Sequence, residues 1–193
     1  MPSRRCPTRC FCALALVIAS LCATAAALGA GAKPLTLGLG QGVAVSGTDI
    51  VCAFGGPANQ VGLACLSAHA TTNAAYSFRI DENELAAFRS SSGRTTRVAR
   101  WKEPASHISQ PRSAAVSDFK ITAHVPVGAG FRAAGTDLAC TVYAFKGRTN
   151  VACFKLDPSG APLNGSYAAA LDAHGLQVSR FEGGHGTTVF VGP

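Results

Sequence analysis

The chain has 193 residues, a formal net charge of +7, 48% hydrophobic residues and 14% charged residues. Its charged fraction is about half of the usual ~25% of a soluble domain, while its 21 glycines have no period of three and so exclude a collagen-like chain. The absence of acidic and basic heptads excludes a coiled coil, and the length allows one domain or two small ones.

The N-terminal segment has the layout of a secretory signal peptide. Arg4, Arg5 and Arg9 precede a short apolar run from residue 11 to residue 21, which is followed by small residues up to residue 32. A membrane-spanning helix needs about 20 predominantly apolar residues, and this run becomes Gly-rich before that length. We therefore predict a signal peptide at residues 1–32 and a secreted or cell-envelope-associated chain with no transmembrane span after cleavage.

Four of the eight cysteines lie within the predicted leader. The mature chain keeps an even number, which in an oxidising compartment predicts two disulfides among Cys52, Cys65, Cys140 and Cys153. A zinc site of four cysteines is the alternative, but a gap of 12 residues within each pair differs from the usual zinc-knuckle spacing. We expect neither a metal nor another cofactor.

The sequence contains an internal repeat. Gly47-Thr48-Asp49 with Cys52 returns 88 positions later as Gly-Thr-Asp with Cys140, and both copies continue as Cys-x12-Cys. Further matches follow after a shift of three residues. We predict two homologous β units, at residues 33–102 and 118–193, joined by a linker at residues 103–117.

A duplicated unit most simply closes its own bridge, which predicts the pairs Cys52–Cys65 and Cys140–Cys153. Strand geometry supports the second pair, because a two-residue turn at positions 146–147 places Cys140 directly opposite Cys153. The first unit gives the same register with residues 58–59 at the centre of its turn.

Short alternating segments separated by Gly, Pro and Asn predict strands throughout both units. Residues 81–88 resemble a capped helix, but the matching segment 172–178 alternates, so we predict strand–turn–strand in both copies and retain a short helix as the alternative. The fold class is therefore all-β, with two homologous disulfide-stapled units, sandwich- or barrel-like, packed as a pseudo-twofold pair. The predicted strands are 42–45, 50–54, 62–67, 76–80, 96–101, 130–133, 138–145, 149–156, 167–171 and 187–191.

Motifs that carry catalysis are lacking. Asp49 and Asp137 are a possible carboxylate pair, but each lies just before a strand, where a carboxylate more naturally forms a turn. Asp172, His174 and His185 are explained equally well by a turn and exposed positions as by metal binding. We predict a non-catalytic protein that acts in binding or cell-envelope association, and a hydrolase with its site between the units is an alternative.

One basic cluster offers a candidate binding site for an anionic ligand. It consists of Arg94, Arg97, Arg100, Trp101 and Lys102. Simple strand alternation places Arg94, Arg100 and Lys102 on one face and Arg97 on the other. An anionic cell-surface polymer is the predicted partner, with no nucleic acid expected, although a solvated sheet edge explains the same residues and is favoured.

A second alternative function needs only an exposed loop. A secreted inhibitor or effector can contact a secreted protein partner through a hairpin tip. The candidate tips are residues 55–60 in the first unit and residues 146–150 in the second.

Overall fold

The computed structural model describes residues 34–56, 61–67, 74–105 and 118–193. The predicted signal peptide, the centre of the first hairpin turn at residues 58–59 and most of the predicted linker lie outside the described residues. Every element in the described part is a β-strand, and the strands form two seven-stranded sheets.

We call the two sheets sheet I and sheet II. Sheet I has the order β7-β6-β5-β4-β3-β2-β8, and sheet II has the order β14-β13-β12-β11-β10-β9-β1. The strands of sheet I are β2 (Gln41–Val45), β3 (Ile50–Gly55), β4 (Gly62–Ser67), β5 (Ala74–Asp81), β6 (Glu84–Ser91), β7 (Arg94–Lys102) and β8 (Lys120–Val125). The strands of sheet II are β1 (Leu35–Leu37), β9 (Gly130–Ala133), β10 (Leu138–Phe145), β11 (Arg148–Lys155), β12 (Tyr167–Asp172), β13 (Gly175–Glu182) and β14 (His185–Gly192).

Two strands are exchanged between the sheets. β1 lies outside sheet I, which the other strands before residue 103 form, and β8 lies outside sheet II, which the other strands after residue 117 form. β1 pairs in parallel with β9 of sheet II, and β8 pairs in parallel with β2 of sheet I. All other neighbouring strands are antiparallel and consecutive in the chain. The sheets are therefore tied together by a reciprocal exchange of their edge strands, which the sequence reading did not predict.

The inner faces of both sheets pack into one core. Alternation along each strand sends every second side chain inward, as in β3, where Ile50, Cys52 and Phe54 are buried. Leu37 of β1 and Val125 of β8 join the same core, so the exchanged strands contribute apolar side chains as well as hydrogen bonds. This arrangement makes the described part of the protein an all-β sandwich with one shared core.

Both predicted disulfides are confirmed. Cys52 is bonded to Cys65 and Cys140 to Cys153, and each pair lies directly opposite across an antiparallel ladder with a Cα–Cα distance of 4.1 Å. The predicted closing pair Phe145–Arg148 is also confirmed. Lys146 and Gly147 between them both have positive φ, as a two-residue hairpin turn of type I′ requires.

Residues 81–88 form the predicted strand–turn–strand, and the helical alternative is wrong. The Oδ1 atom of Asp81 accepts hydrogen bonds from the backbone N–H groups of Asn83 and Glu84, which closes a tight turn between β5 and β6. Asp172 does the same for His174 and Gly175 between β12 and β13. The acidic residue that resembled a helix cap therefore caps a hairpin.

The two Gly-Thr-Asp turns use the threonine hydroxyl in the same way. The hydroxyl of Thr48 donates to the Val45 carbonyl and accepts from the Ile50 N–H, and Thr136 makes the same pair of bonds to Ala133 and Leu138. The threonine hydroxyl before Asp49 and the one before Asp137 thus take part in closing these turns. A hydroxyl both donates and accepts, so it satisfies both backbone groups, whereas a carboxylate only accepts.

Among the described residues there is no helix with the length and apolar character needed to cross a membrane. The two intramolecular disulfides are consistent with an oxidising environment.

Candidate ligand-binding cleft

A cleft of about 660 Å³ lies on the outer face of sheet II, across β10 to β14. Cys153, Ala169 and Val178 point into the core, so their neighbours along β11, β12 and β13 point outward. Those outward side chains line the cleft. A sheet surface that would otherwise face solvent is therefore concave enough to enclose space.

The floor of the cleft is made of small side chains. Ala152 lies opposite Ala170 on the neighbouring strand, and Ala168 lies opposite Ser179 on the next pair. Ala152, Ala168 and Ser179 are buried although they belong to the outer face. The short side chains leave the cleft open above the backbone.

Two of the four corresponding positions of sheet I carry large side chains. There, Ala64 lies opposite Arg79, and Ser77 lies opposite Phe88. Arg79 is held in place by ion pairs with Asp81 and Glu84, each at 3.4 Å. The same ladder positions are therefore filled by Arg79 and Phe88 in sheet I and by Ala170 and Ser179 in sheet II.

One end of the cleft is polar. Arg148 lies beside Asp172, with 3.5 Å between the guanidinium Nη1 atom and Oδ2 of the carboxylate. Tyr143 and Asn150 line the same end from β10 and β11. Burial, together with the nearby negative charge of Asp172, raises the pKa of the Tyr143 phenol above its ordinary value, so its hydroxyl stays protonated at neutral pH.

The other end of the cleft is apolar. Phe181 lines it from the far end of β13, and Val191 of β14 forms part of the side wall. Phe181 lies six positions along β13 from Gly175, which is at the polar end, and this is roughly 20 Å of extended strand. The cleft is therefore elongated along the strands, with its polar groups concentrated at one end.

The predicted basic cluster occupies β7, an edge strand of sheet I. A bulge near Val98 shifts the pairing, so that Arg97 lies opposite Phe88 while Arg100 lies opposite Ala86. Because cross-strand partners share a face, Arg97, Arg100 and Lys102 lie on the outer face and Arg94 on the other. The predicted division, with Arg97 apart from the rest, is wrong because the extra residue inverts the alternation beyond it.

Trp101 lies on the opposite face from Arg100 and Lys102. Its ring packs at 5.9 Å from that of Tyr167 and at 5.8 Å from that of Phe190, both in sheet II. The tryptophan therefore belongs to the contact between the sheets.

The candidate hairpin tips have different positions relative to the cleft. Part of the first tip, residues 55–60, lies outside the described residues. The second tip, residues 146–150, includes Arg148 and Asn150, which line the cleft. Lys146, at the tip itself, places its ammonium 5.3 Å from the ring centre of Phe145.

A buried polar cluster joins the sheets near one end of the sandwich. Lys155 is 0% exposed and donates hydrogen bonds from Nζ to the carbonyls of Glu82 and Pro104, at 2.9 and 2.8 Å. Glu103 accepts a bond from the Tyr167 N–H. Burial raises the pKa of Glu103 to about 7 and lowers that of Lys155, while their opposite charges partly offset both shifts.

The sequence did not identify the cleft residues, with two exceptions. Asp172 and His174 were metal-ligand candidates, and residues 146–150 were a candidate hairpin tip. The available signal was the alternation of Ala168 and Ala170 with core positions, set against Ser77 and Arg79 in the first unit. Comparison of the chain with family models, curated proteins and solved structures gives no match.

Proposed function

We propose that this chain is a secreted, non-catalytic protein that binds a small, largely apolar molecule in the cleft of sheet II. The observation that carries the proposal is the replacement of Arg79 and Phe88 by Ala170 and Ser179 at matching ladder positions. Small-molecule sites are typically clefts of about 300–1,000 Å³, mostly apolar with a few polar groups, and the cleft fits that description.

The proposal includes the predicted secretion of the chain and its predicted origin by duplication. A signal peptide at residues 1–32 delivers it to an oxidising compartment, and the two units descend from one ancestral unit by duplication. The shared Cys-x12-Cys spacing and the matching strand orders of the two sheets support the duplication. The second copy then became the binding unit through smaller side chains on the outer face of its sheet.

The test uses the mature chain, residues 33–193, and the neutral apolar fluorophore N-phenyl-1-naphthylamine. We expect saturable fluorescence enhancement for the parent protein and loss of it for Ala170→Arg/Ser179→Phe, which gives the cleft the side chains of sheet I. The matched control is Ala75→Arg/Ser77→Phe, which makes the same changes on the outer face of sheet I and is expected to bind like the parent.

A loss of binding by the cleft-filling double variant supports the proposal only if that variant is folded. Circular dichroism and intact disulfides check this, and the milder variant Ala170→Leu provides a second measurement with a partial loss of binding expected. Equal binding by parent, Ala170→Leu and folded double variant would contradict the proposal.

A second candidate function rests on the basic outer face of β7. The bulge near Val98 brings Arg97, Arg100 and Lys102 to one face, which concentrates positive charge more than regular alternation would. Clustered basic side chains attract anionic polymers through long-range electrostatics. We propose binding of an anionic cell-surface polymer at this face as the alternative role.

A further inference from the structure

We infer that the molecule held in the cleft is an organic carboxylate with an extended apolar body, its carboxylate at Arg148 and its body along the alanine floor. This inference rests on the proposed function, since it names the class of ligand for the same cleft. It follows from the hydrogen-bonding groups that the polar end offers, from the charge there and from the length of the cleft.

The acceptor capacity of the Asp172 carboxylate, the charged acceptor at the polar end, is already engaged by the protein. Oδ1 of Asp172 accepts from the N–H groups of His174 and Gly175 at 2.7 and 2.9 Å, and Oδ2 faces Arg148. Only 16% of the Asp172 side chain is exposed. A ligand ammonium group would therefore compete with three existing contacts for this carboxylate.

Hydrogen-bond donors at the polar end, in contrast, remain for a ligand to use. A guanidinium carries five N–H donors, the ion pair with Asp172 involves Nη1, and 55% of the Arg148 side chain is exposed. The protonated hydroxyl of Tyr143 adds a donor at the same end of the cleft. Because the Asp172 carboxylate is engaged by the protein while these two donor groups face the cleft, the polar end favours a ligand group that accepts hydrogen bonds.

The more exposed charge at the polar end is positive, since 55% of the Arg148 side chain and only 16% of the Asp172 side chain are exposed, and this favours an anionic acceptor over a neutral one. Arg148 pairs with a carboxylate through a planar fork of N–H groups, and such charge-assisted hydrogen bonds are about twice as strong as neutral ones. An ammonium at the same place would meet the positive guanidinium. A carboxylate therefore gains more here than either an alcohol or an amine of the same length.

The shape of the cleft selects the body of the ligand. From the polar end, the floor runs past Ala152 and Ala170, then past Ala168 and Ser179, and reaches Phe181 roughly 20 Å away. Apart from the hydroxyl of Ser179, these are apolar surfaces. An alkyl chain or a row of rings fits this elongated floor better than a compact polar molecule.

The test compares three probes that share a ten-carbon chain: decanoate, decan-1-ol and decylamine. Each probe is titrated into the mature chain with bound N-phenyl-1-naphthylamine at pH 7, and the loss of fluorescence measures its competition. We expect decanoate to compete at concentrations about tenfold lower than decan-1-ol, as the gain from a charge-assisted hydrogen bond implies, and decylamine to compete least. Arg148→Ala should abolish the advantage of decanoate, and Arg148→Lys should restore part of it.

Two controls complete the test. Arg132→Ala removes an exposed arginine on β9 of the same sheet, outside the cleft, and should leave the decanoate advantage intact. Competition by decan-1-ol should change less than competition by decanoate between the parent and Arg148→Ala, because the alcohol loses only a weaker hydrogen bond with a neutral acceptor.

The failure of this inference differs from the failure of the proposed function. One outcome overturns the carboxylate inference alone: all three probes compete equally and Arg148→Ala changes nothing, while Ala170→Arg/Ser179→Phe still abolishes fluorophore binding. The proposed binding of an apolar molecule in the cleft is then retained. If the cleft-filling variants bind the fluorophore as the parent does, the proposed function and the carboxylate inference are both overturned.

Discussion

The Sγ atom of Cys65 lies 3.7 Å from the Sγ atom of Cys153, so the two disulfides are in contact at the centre of the sandwich. One bridges β3 and β4 of sheet I, and the other bridges β10 and β11 of sheet II. All four cysteines belong to the buried core. Each disulfide therefore cross-links its own sheet and also packs against the opposite sheet.

This contact predicts that the two disulfides are energetically coupled. Replacing Cys52 and Cys65 by alanine should lower the free energy of unfolding by about 2–4 kcal/mol, and replacing Cys140 and Cys153 should cost a similar amount. Because the bridges touch, the quadruple variant should differ from the sum by about 0.5–3 kcal/mol. Urea unfolding of the four proteins measures this difference, and strict additivity would contradict it.

Glu103 predicts a specific pH dependence of stability. Its pKa in the folded protein is about 7, against an ordinary value of 4.5, because burial disfavours the carboxylate. The folded state therefore holds this proton more tightly than the unfolded state between these pH values. The stabilisation that Glu103 contributes is complete below about pH 4.5, declines as the pH rises through 7 and changes little above that.

The variant Glu103→Gln should remove this dependence, since glutamine does not titrate. We expect its stability relative to the parent to rise by about 3 kcal/mol between pH 4.5 and pH 8, as measured by urea unfolding across the range. Glu182→Gln, at an exposed position, is the control and should follow the parent. Parallel curves for the parent and Glu103→Gln would contradict the prediction.

The exchanged strand β1 predicts a large effect from a short segment. Leu37 is 0% exposed and lies opposite Ala133 of β9, whereas Leu35, two residues earlier, is 38% exposed. Leu37→Ala should lower the free energy of unfolding by about 2–5 kcal/mol, because it leaves a cavity in the core. Leu35→Ala, with the same chemical change on the same strand, should cost clearly less.

The basic face predicts a difference between neighbouring arginines. Arg97→Ala and Arg100→Ala should each weaken binding to dextran sulfate and reduce its dependence on salt, because each removes a charge from the shared outer face. Arg94→Ala removes one charge from the other face and should have a smaller effect. Binding isotherms at several salt concentrations measure this, and equal effects at all three positions would contradict it.

Much of the fold could be predicted from local sequence. Alternation located ten strands to within two residues at each end, and the turn at Lys146 and Gly147 fixed the pairing of Cys140 with Cys153. These features depend on neighbouring residues and on the constant two-residue period of a strand. The predicted repeat also argued against a helix at residues 81–88, since the matching segment 172–178 alternates.

The candidate site was far less predictable. Alanines on an outer face resemble weak core positions until their neighbours across the ladder are known, as with Ala170 beside Ala152. The bulge that moves Arg97 next to Arg100 is also invisible without the pairing of β6 with β7. Both features depend on the register between neighbouring strands, which the alternation within one strand does not show.

By itself, the sequence determined the strands, the hairpin registers and the two disulfides, because each follows from contacts within a few residues of a turn. Only the tertiary structure decided that β1 and β8 exchange sheets, that the two disulfides touch and that one outer face is concave. The first two outcomes depend on contacts between segments more than 70 residues apart, such as Leu37 with Ala133, for which a strand of three residues carries no local signal. The concave face depends on the side chains that five neighbouring strands, β10 to β14, place on one side of the sheet.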